Sequence, residues 1–137
     1  MRYLYFFLCI LWPCTCVYSL DDTECHYFRK NSPIEKIGAS FEVQCKIDYA
    51  YHISKDIDFV LTCNSENNQT WDENIKSPTN DFGICQINAY YHSWIVNSPE
   101  YKNWKYQINM GWELYRIGTT FYADPNKFRH YFKIKKI

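Results

Sequence analysis

The sequence predicts an α+β domain in which helices dominate. Three observations predict it: helix-start signals recur along the chain, the stretch from Thr70 to Asn88 is broken by Asn, Asp, Ser, Pro and Gly into loop and short hairpin, and four cysteines lie beyond the N-terminal segment. Taking the elements in order, Arg2 followed by the apolar run from Tyr3 to Trp12 has the charged and apolar regions of a secretory signal, and the run is too short to span a bilayer. Val17-Tyr18-Ser19 ends on a small residue, so residues 1–19 are expected to be a cleaved signal peptide and 20–137 the domain; an uncleaved anchor is the alternative. Ser32-Pro33-Ile34-Glu35 reads as an N-cap, a proline at the first helical position and an acid in the first turn, which should open an early helix. Ser54 is a second N-cap candidate. Asp56 and Asp58 follow in the first turn, and Ile57, Val60, Leu61 and Asn64 recur at helical spacing, so a helix is expected from about Lys55 to Glu66, ending at Asn67-Asn68.

After the loop-and-hairpin stretch, Ser98-Pro99-Glu100 signals another helix start. From Trp104 to Tyr122 the apolar residues Ile108, Trp112, Leu114, Tyr115, Ile117 and Phe121 predict a central packing helix, which Asp124-Pro125 closes. Gly111 and Gly118 are seven apart and would share one face, where a neighbour can approach closely; a chance placement of two glycines is the alternative. No repeat, low-complexity segment or linker interrupts residues 20–137, so one domain is expected.

Composition narrows the classes. With 47% hydrophobic, 20% aromatic and 22% charged residues the chain can bury a core, which excludes disorder. The charge is balanced at 15 basic and 15 acidic residues, and loss of Arg2 leaves 14 against 15, so nucleic acid is not an expected partner. Of seven cysteines, Cys9, Cys14 and Cys16 fall in the signal. The remaining Cys25, Cys45, Cys63 and Cys85 most simply form two disulfides in an oxidising compartment, with three connectivities that spacing alone does not rank. A four-cysteine metal site is the weaker reading because none of them forms a CxxC or similarly close pair. No metal or cofactor is expected.

Asp81-Phe82-Gly83-Ile84-Cys85-Gln86-Ile87-Asn88 resembles the strand motif of the lysozyme-like superfamily, and Cys63-Asn64-Ser65-Glu66-Asn67, fifteen residues upstream, resembles the end of that family's catalytic helix. Tyr90-Tyr91-His92 and the later stretch from Tyr106 to Tyr115 follow in the family's order, so the resemblance covers roughly Asp56 to Phe121. Two departures mark a short, divergent branch: the eight-cysteine pattern of animal-type lysozymes is missing, and the Ala-Tyr-Asn motif of soluble lytic transglycosylases is not visible near the C-terminus.

The resemblance implies a lysozyme-like fold, with a sugar-binding cleft between a small β region and a helical body. It also implies a secreted, extracellular or periplasmic, muramidase that hydrolyses the bond between N-acetylmuramic acid and N-acetylglucosamine in peptidoglycan. A lytic transglycosylase leaving 1,6-anhydromuramic ends is the nearest alternative, and a non-catalytic glycan binder or inhibitor on the same scaffold is the other. Glycosidic cleavage needs a carboxyl that keeps its proton near neutral pH, and Glu66 sits where a helix C-terminus and surrounding aromatic residues can raise its pKa.

Asp81 stands where some lysozymes carry the second carboxylate, which stabilises or captures the sugar cation; a loop-capping aspartate is the alternative. Gly83 is expected to let the backbone approach sugar, Gln86 and Asn88 to offer amide hydrogen bonds or to serve a buried network, Tyr90, Tyr91 and Trp94 to stack on sugar rings or to belong to the core, and His92 to line the cleft. Cys63 lies one helical turn before the acid and Cys85 in the strand motif, so these two are expected to pair, leaving Cys25 with Cys45. Peptidoglycan strands are the expected partner of a monomer with no stable membrane association after signal cleavage. The sequon Asn68-Gln69-Thr70 is read as a chance match. The tail from Lys127 to Ile137 concentrates five of the 14 basic residues; a solvated C-terminus is the simpler expectation and a patch attracting an anionic wall polymer the other.

Overall fold

The computed structural model describes residues 20–119 and 121–136, so the expected signal at 1–19 lies outside the described residues. The described chain is α+β and mainly helical, with five α-helices and two small antiparallel sheets. Helix α1 (Asp22–Lys30) starts at Asp21, whose carboxylate accepts the Thr23 and Glu24 N–H groups at 2.8 and 3.2 Å. Acidic residues in its first turn and Arg29 and Lys30 in its last complement the helix dipole. Helix α2 (Phe41–Ser54) is capped by Ser40, whose Oγ accepts the Val43 N–H at 3.1 Å.

Ser32-Pro33 lies between these helices and, against expectation, opens neither. Strand β1 (Ile34–Lys36) follows it and pairs antiparallel with β4 (Phe132–Ile134) at the far end of the chain. The Gln44 side chain accepts the Lys36 N–H at 2.9 Å and donates to the Ile34 carbonyl at 3.1 Å, while Ile34 and Phe132 are buried. This long-range pairing outweighs a local signal worth about 1 kcal/mol. The C-terminal tail is therefore partly a structural strand and not simply a solvated end.

Helix α3 (Ile57–Glu66) ends where the sequence predicts, but its cap is Asp56, whose carboxylate accepts the Phe59 N–H at 2.9 Å. Ser54 belongs to the last turn of α2, where its hydroxyl bonds back to the Ala50 carbonyl at 2.7 Å and Lys55 takes a left-handed turn. The expected β region appears as β2 (Asp81–Phe82) paired with β3 (Ile87–Asn88). A short helix α4 (Ser93–Val96) follows. Ser98-Pro99 opens only a 3-10 turn at Pro99–Lys102, and Asn103 caps α5 (Trp104–Arg116) by accepting the Lys105 N–H at 2.9 Å. Helix α5 stops at Arg116, short of the expected Tyr122, and Gly118 lies past its end at φ +90° with no neighbour near the position of an added Cβ.

Ile47, Phe59, Val60, Leu61, Trp71, Ile84, Trp104 and Ile108 are fully or almost fully buried in the main core, and Ile87, Ile95, Tyr101 and Leu114 form a smaller cluster beside β3. The disulfides join Cys25 to Cys45, tying α1 to α2, and Cys63 to Cys85, tying α3 to the turn between β2 and β3, as expected. Closing loops of 20 and 22 residues, each removes about 3 kcal/mol of unfolded-chain entropy in the loop-closure picture. Buried Lys46 is satisfied by the Trp71 carbonyl and Glu73, both at 2.9 Å, and by Glu42 at 3.1 Å. Among the described residues no helix is long and apolar enough to cross a membrane.

Gly111 is where close approach is used. A Cβ there would lie 2.7 Å from Cys85 Sγ and 2.9 Å from Cys85 Cβ, so α5 rests directly on the second disulfide. Gly111→Ala would gain about 1 kcal/mol of helix propensity but must push α5 off the bridge, an overpacking cost of about 1–3 kcal/mol. A net loss of stability is expected, seen as a lower urea midpoint with an unchanged m-value.

Candidate active site

Helix α3 delivers Glu66 as its last residue, and the turn after it is fixed from three sides. Trp71, fully buried, donates its indole N–H to Asn64 Oδ1 at 2.9 Å and its backbone N–H to Asn67 Oδ1 at 3.1 Å. Asn67 in turn donates to the Ile84 carbonyl at 2.9 Å, and Ser65 donates to the Asp124 carbonyl at 2.7 Å. Together with the Cys63–Cys85 bridge these bonds lock the end of α3 to the β2–β3 turn on one side and to the segment after α5 on the other. Asn68, Gln69, Trp71, Asn80 and Gln86 all have φ between 51° and 67°. Such left-handed conformations are costly for residues other than glycine and gather at functional sites when the surroundings over-determine them.

A cleft of about 890 Å³ opens beside this junction, lined by Glu66, Asp81, Gln86, Asn88, Tyr91 and His92 among the residues the sequence singled out. Its apolar wall comes from Ile87, Leu114 and Phe121, and Thr119 and Tyr122 line it as well.

The two carboxyl groups stand in opposite environments. Burial, and secondarily the negative charge of Asp81, push the Glu66 carboxyl up to about 7. For Asp81 burial works against ionisation, but hydrogen bonds from Thr79, Asn88 and Ser77 outweigh it and hold the carboxyl below the ordinary aspartate value. Thr79 Oγ1 and Ser77 Oγ donate to Asp81 Oδ2 at 2.6 and 2.8 Å, and Asn88 Nδ2 donates to Oδ1 at 2.9 Å. Asn88 also donates to the Thr79 carbonyl and accepts the N–H groups of Tyr90 and Tyr91, so it organises the loop from both ends. Asp81 thus orders the loop through these bonds and also lines the cleft.

Gly83 does not line the cleft. A Cβ there would lie 2.3 Å from Gln107 Oε1, at φ +80°, so the missing side chain makes room for a buried glutamine and not for sugar. Gln107 Oε1 accepts the Ile84 N–H at 2.9 Å, and its Nε2 donates to the carbonyls of Glu73 and Tyr101. Gln86 lines the cleft, and its Nε2 donates to the Gly83 carbonyl at 2.9 Å and to the Ile75 carbonyl at 3.3 Å. Tyr90 and Trp94 are exposed outside the lining.

Ser77 and Thr79 were not singled out from the sequence. The signal was present in Ser77-Pro78-Thr79-Asn80-Asp81, two hydroxyl residues placed two and four before an aspartate in a turn-forming run. Comparison of the chain with protein-family models, with curated proteins and with solved structures finds no match.

Proposed function

We propose that the protein is a secreted, lysozyme-like muramidase that hydrolyses the bond between N-acetylmuramic acid and N-acetylglucosamine in peptidoglycan. The observation that carries this reading is the pairing, in one cleft, of a carboxyl that keeps its proton to about pH 7 with a carboxylate held ionised by three hydrogen bonds. Glycosidic cleavage needs that division: Glu66 protonates the leaving oxygen while Asp81 faces the developing oxocarbenium ion. Lysozymes are the established example of two carboxyl groups given different roles by their surroundings. The cleft's position between the β2–β3 hairpin and the helices, and the bond from the acid's helix to the motif through Cys63–Cys85, support the same reading.

Activity against peptidoglycan is expected to follow a bell-shaped pH curve. It should fall as pH rises through about 7, where Glu66 loses the proton it must deliver. It should also fall on the acid side, below the ordinary aspartate value, where Asp81 takes up a proton. Clearing of a gel cast with purified peptidoglycan, scored across pH, tests both limbs; activity that rises steadily above pH 7 would remove Glu66 as the acid.

A further inference from the structure

Residues 127–136 contain five lysines and arginines and no acid, whereas residues 20–126 carry nine basic against 15 acidic residues. The fold sets two of those lysines side by side on one face of a strand. Strand β4 alternates: Phe132 and Ile134 point toward the core, and Tyr131, Lys133 and Lys135 are exposed on the opposite face. The ladder with β1 continues beyond the strands, from the Ile37 N–H to the Tyr131 carbonyl at 2.9 Å and from the Lys135 N–H to the Pro33 carbonyl at 2.8 Å, so this face is rigid. Among the described residues Lys127, Lys133, Lys135 and Lys136 form no ion pair, although Glu35 lies opposite Lys133 in register. Arg129, which pairs with Asp58 at 3.2 Å, fixes the row to the start of α3. Glu66 lies at the other end of that helix, about 12 Å away along its axis at 1.5 Å per residue.

We propose that this face docks a linear polyanion bearing phosphate groups along a flexible backbone, independently of the cleft. Unpaired lysines on one face are point charges that suit phosphate, and Lys133 and Lys135, two residues apart on a strand, stand about 6.6 Å from each other, within reach of one flexible chain. A bilayer fits less well. A flat anionic surface would meet Glu35 in the middle of the face, and Tyr131 and Ile37, the two apolar side chains there, are far from the continuous apolar face that an interfacial element inserts. A flexible chain can follow the lysines and pass beside Glu35. Docking at this end of α3 leaves the cleft open.

The test uses long-chain inorganic polyphosphate as the probe and reads binding alone, so its outcome is separate from that of the cleft reading. The protein should bind at low salt. The double variant Lys133→Gln/Lys135→Gln should bind at least about tenfold more weakly, with the slope of log K against log salt smaller by about 1.4, as two lost contacts at about 0.7 each require. NMR titration of the unsubstituted protein should move the amide signals around Lys133 and Lys135, which keeps the idea testable if the double variant folds poorly. No binding at low salt, equal binding by the folded double variant, or amide shifts confined to the cleft would overturn it. So would binding to vesicles of phosphatidylglycerol and phosphatidylcholine without binding to polyphosphate.

Discussion

Replacing Glu66 by Gln is expected to leave a folded protein that still binds chitooligosaccharide but cleaves peptidoglycan at least about a hundredfold more slowly, because the amide keeps the shape and cannot deliver a proton. The same substitution should change stability in a direction that loss of structure would not. In the folded protein the Glu66 carboxyl titrates at about 7 against 4.5 in its ordinary state. Between those values the unfolded chain has released a proton that the folded chain retains, so stability falls as pH rises through this window. Below it the stabilising contribution is fully present, and above it the loss is complete. Glu66→Gln does not titrate, so its melting temperature should gain on that of the unsubstituted protein as pH climbs toward 7. A variant that is inactive and also less stable at neutral pH would indicate a structural role.

Asp81→Asn is the second large effect. If Asp81 stabilises the sugar cation, neutralising it should slow turnover by at least about a hundredfold, or about 3 kcal/mol of barrier, with little change in binding. It should also shift the alkaline limb of the pH curve downward, because the Asp81 charge contributes to the raised pKa of Glu66. An enzyme of the transglycosylase type would instead lose less than about tenfold and leave 1,6-anhydromuramic ends. The shift of the alkaline limb separates the two electrostatic roles of Asp81: its action on Glu66 and its action on the sugar cation.

The helix bearing Glu66 was legible because its periodicity, its acidic first turn and its Asn67-Asn68 end agree, and the hairpin because its turn residues cluster. Ser32-Pro33 and Ser54 misled for one reason: an N-cap residue is a local signal, and the alternatives that won depend on partners far away or on a preceding helix that the hydroxyl could rejoin. Strand β1 is invisible without β4, almost a hundred residues later. Gly83 was legible as a position of close approach but not as to what approaches it, because Gln107 comes from another helix. The early helices α1 and α2 carried readable caps at Asp21 and Ser40 that were not singled out. The polar brace of Asp81 could be read from Ser77 and Thr79 in part, whereas Asn88 reaches it only across the hairpin.

Whether Glu66 and Asp81 form a peptidoglycan-cleaving pair is decided by mass spectrometry of the soluble products released from purified peptidoglycan by the protein and by Glu66→Gln. Muropeptides ending in reducing N-acetylmuramic acid are expected from the unsubstituted protein, and none above background from the variant. Absence of soluble glycan fragments from a folded, disulfide-bonded protein, or equal release by Glu66→Gln, would contradict the pairing.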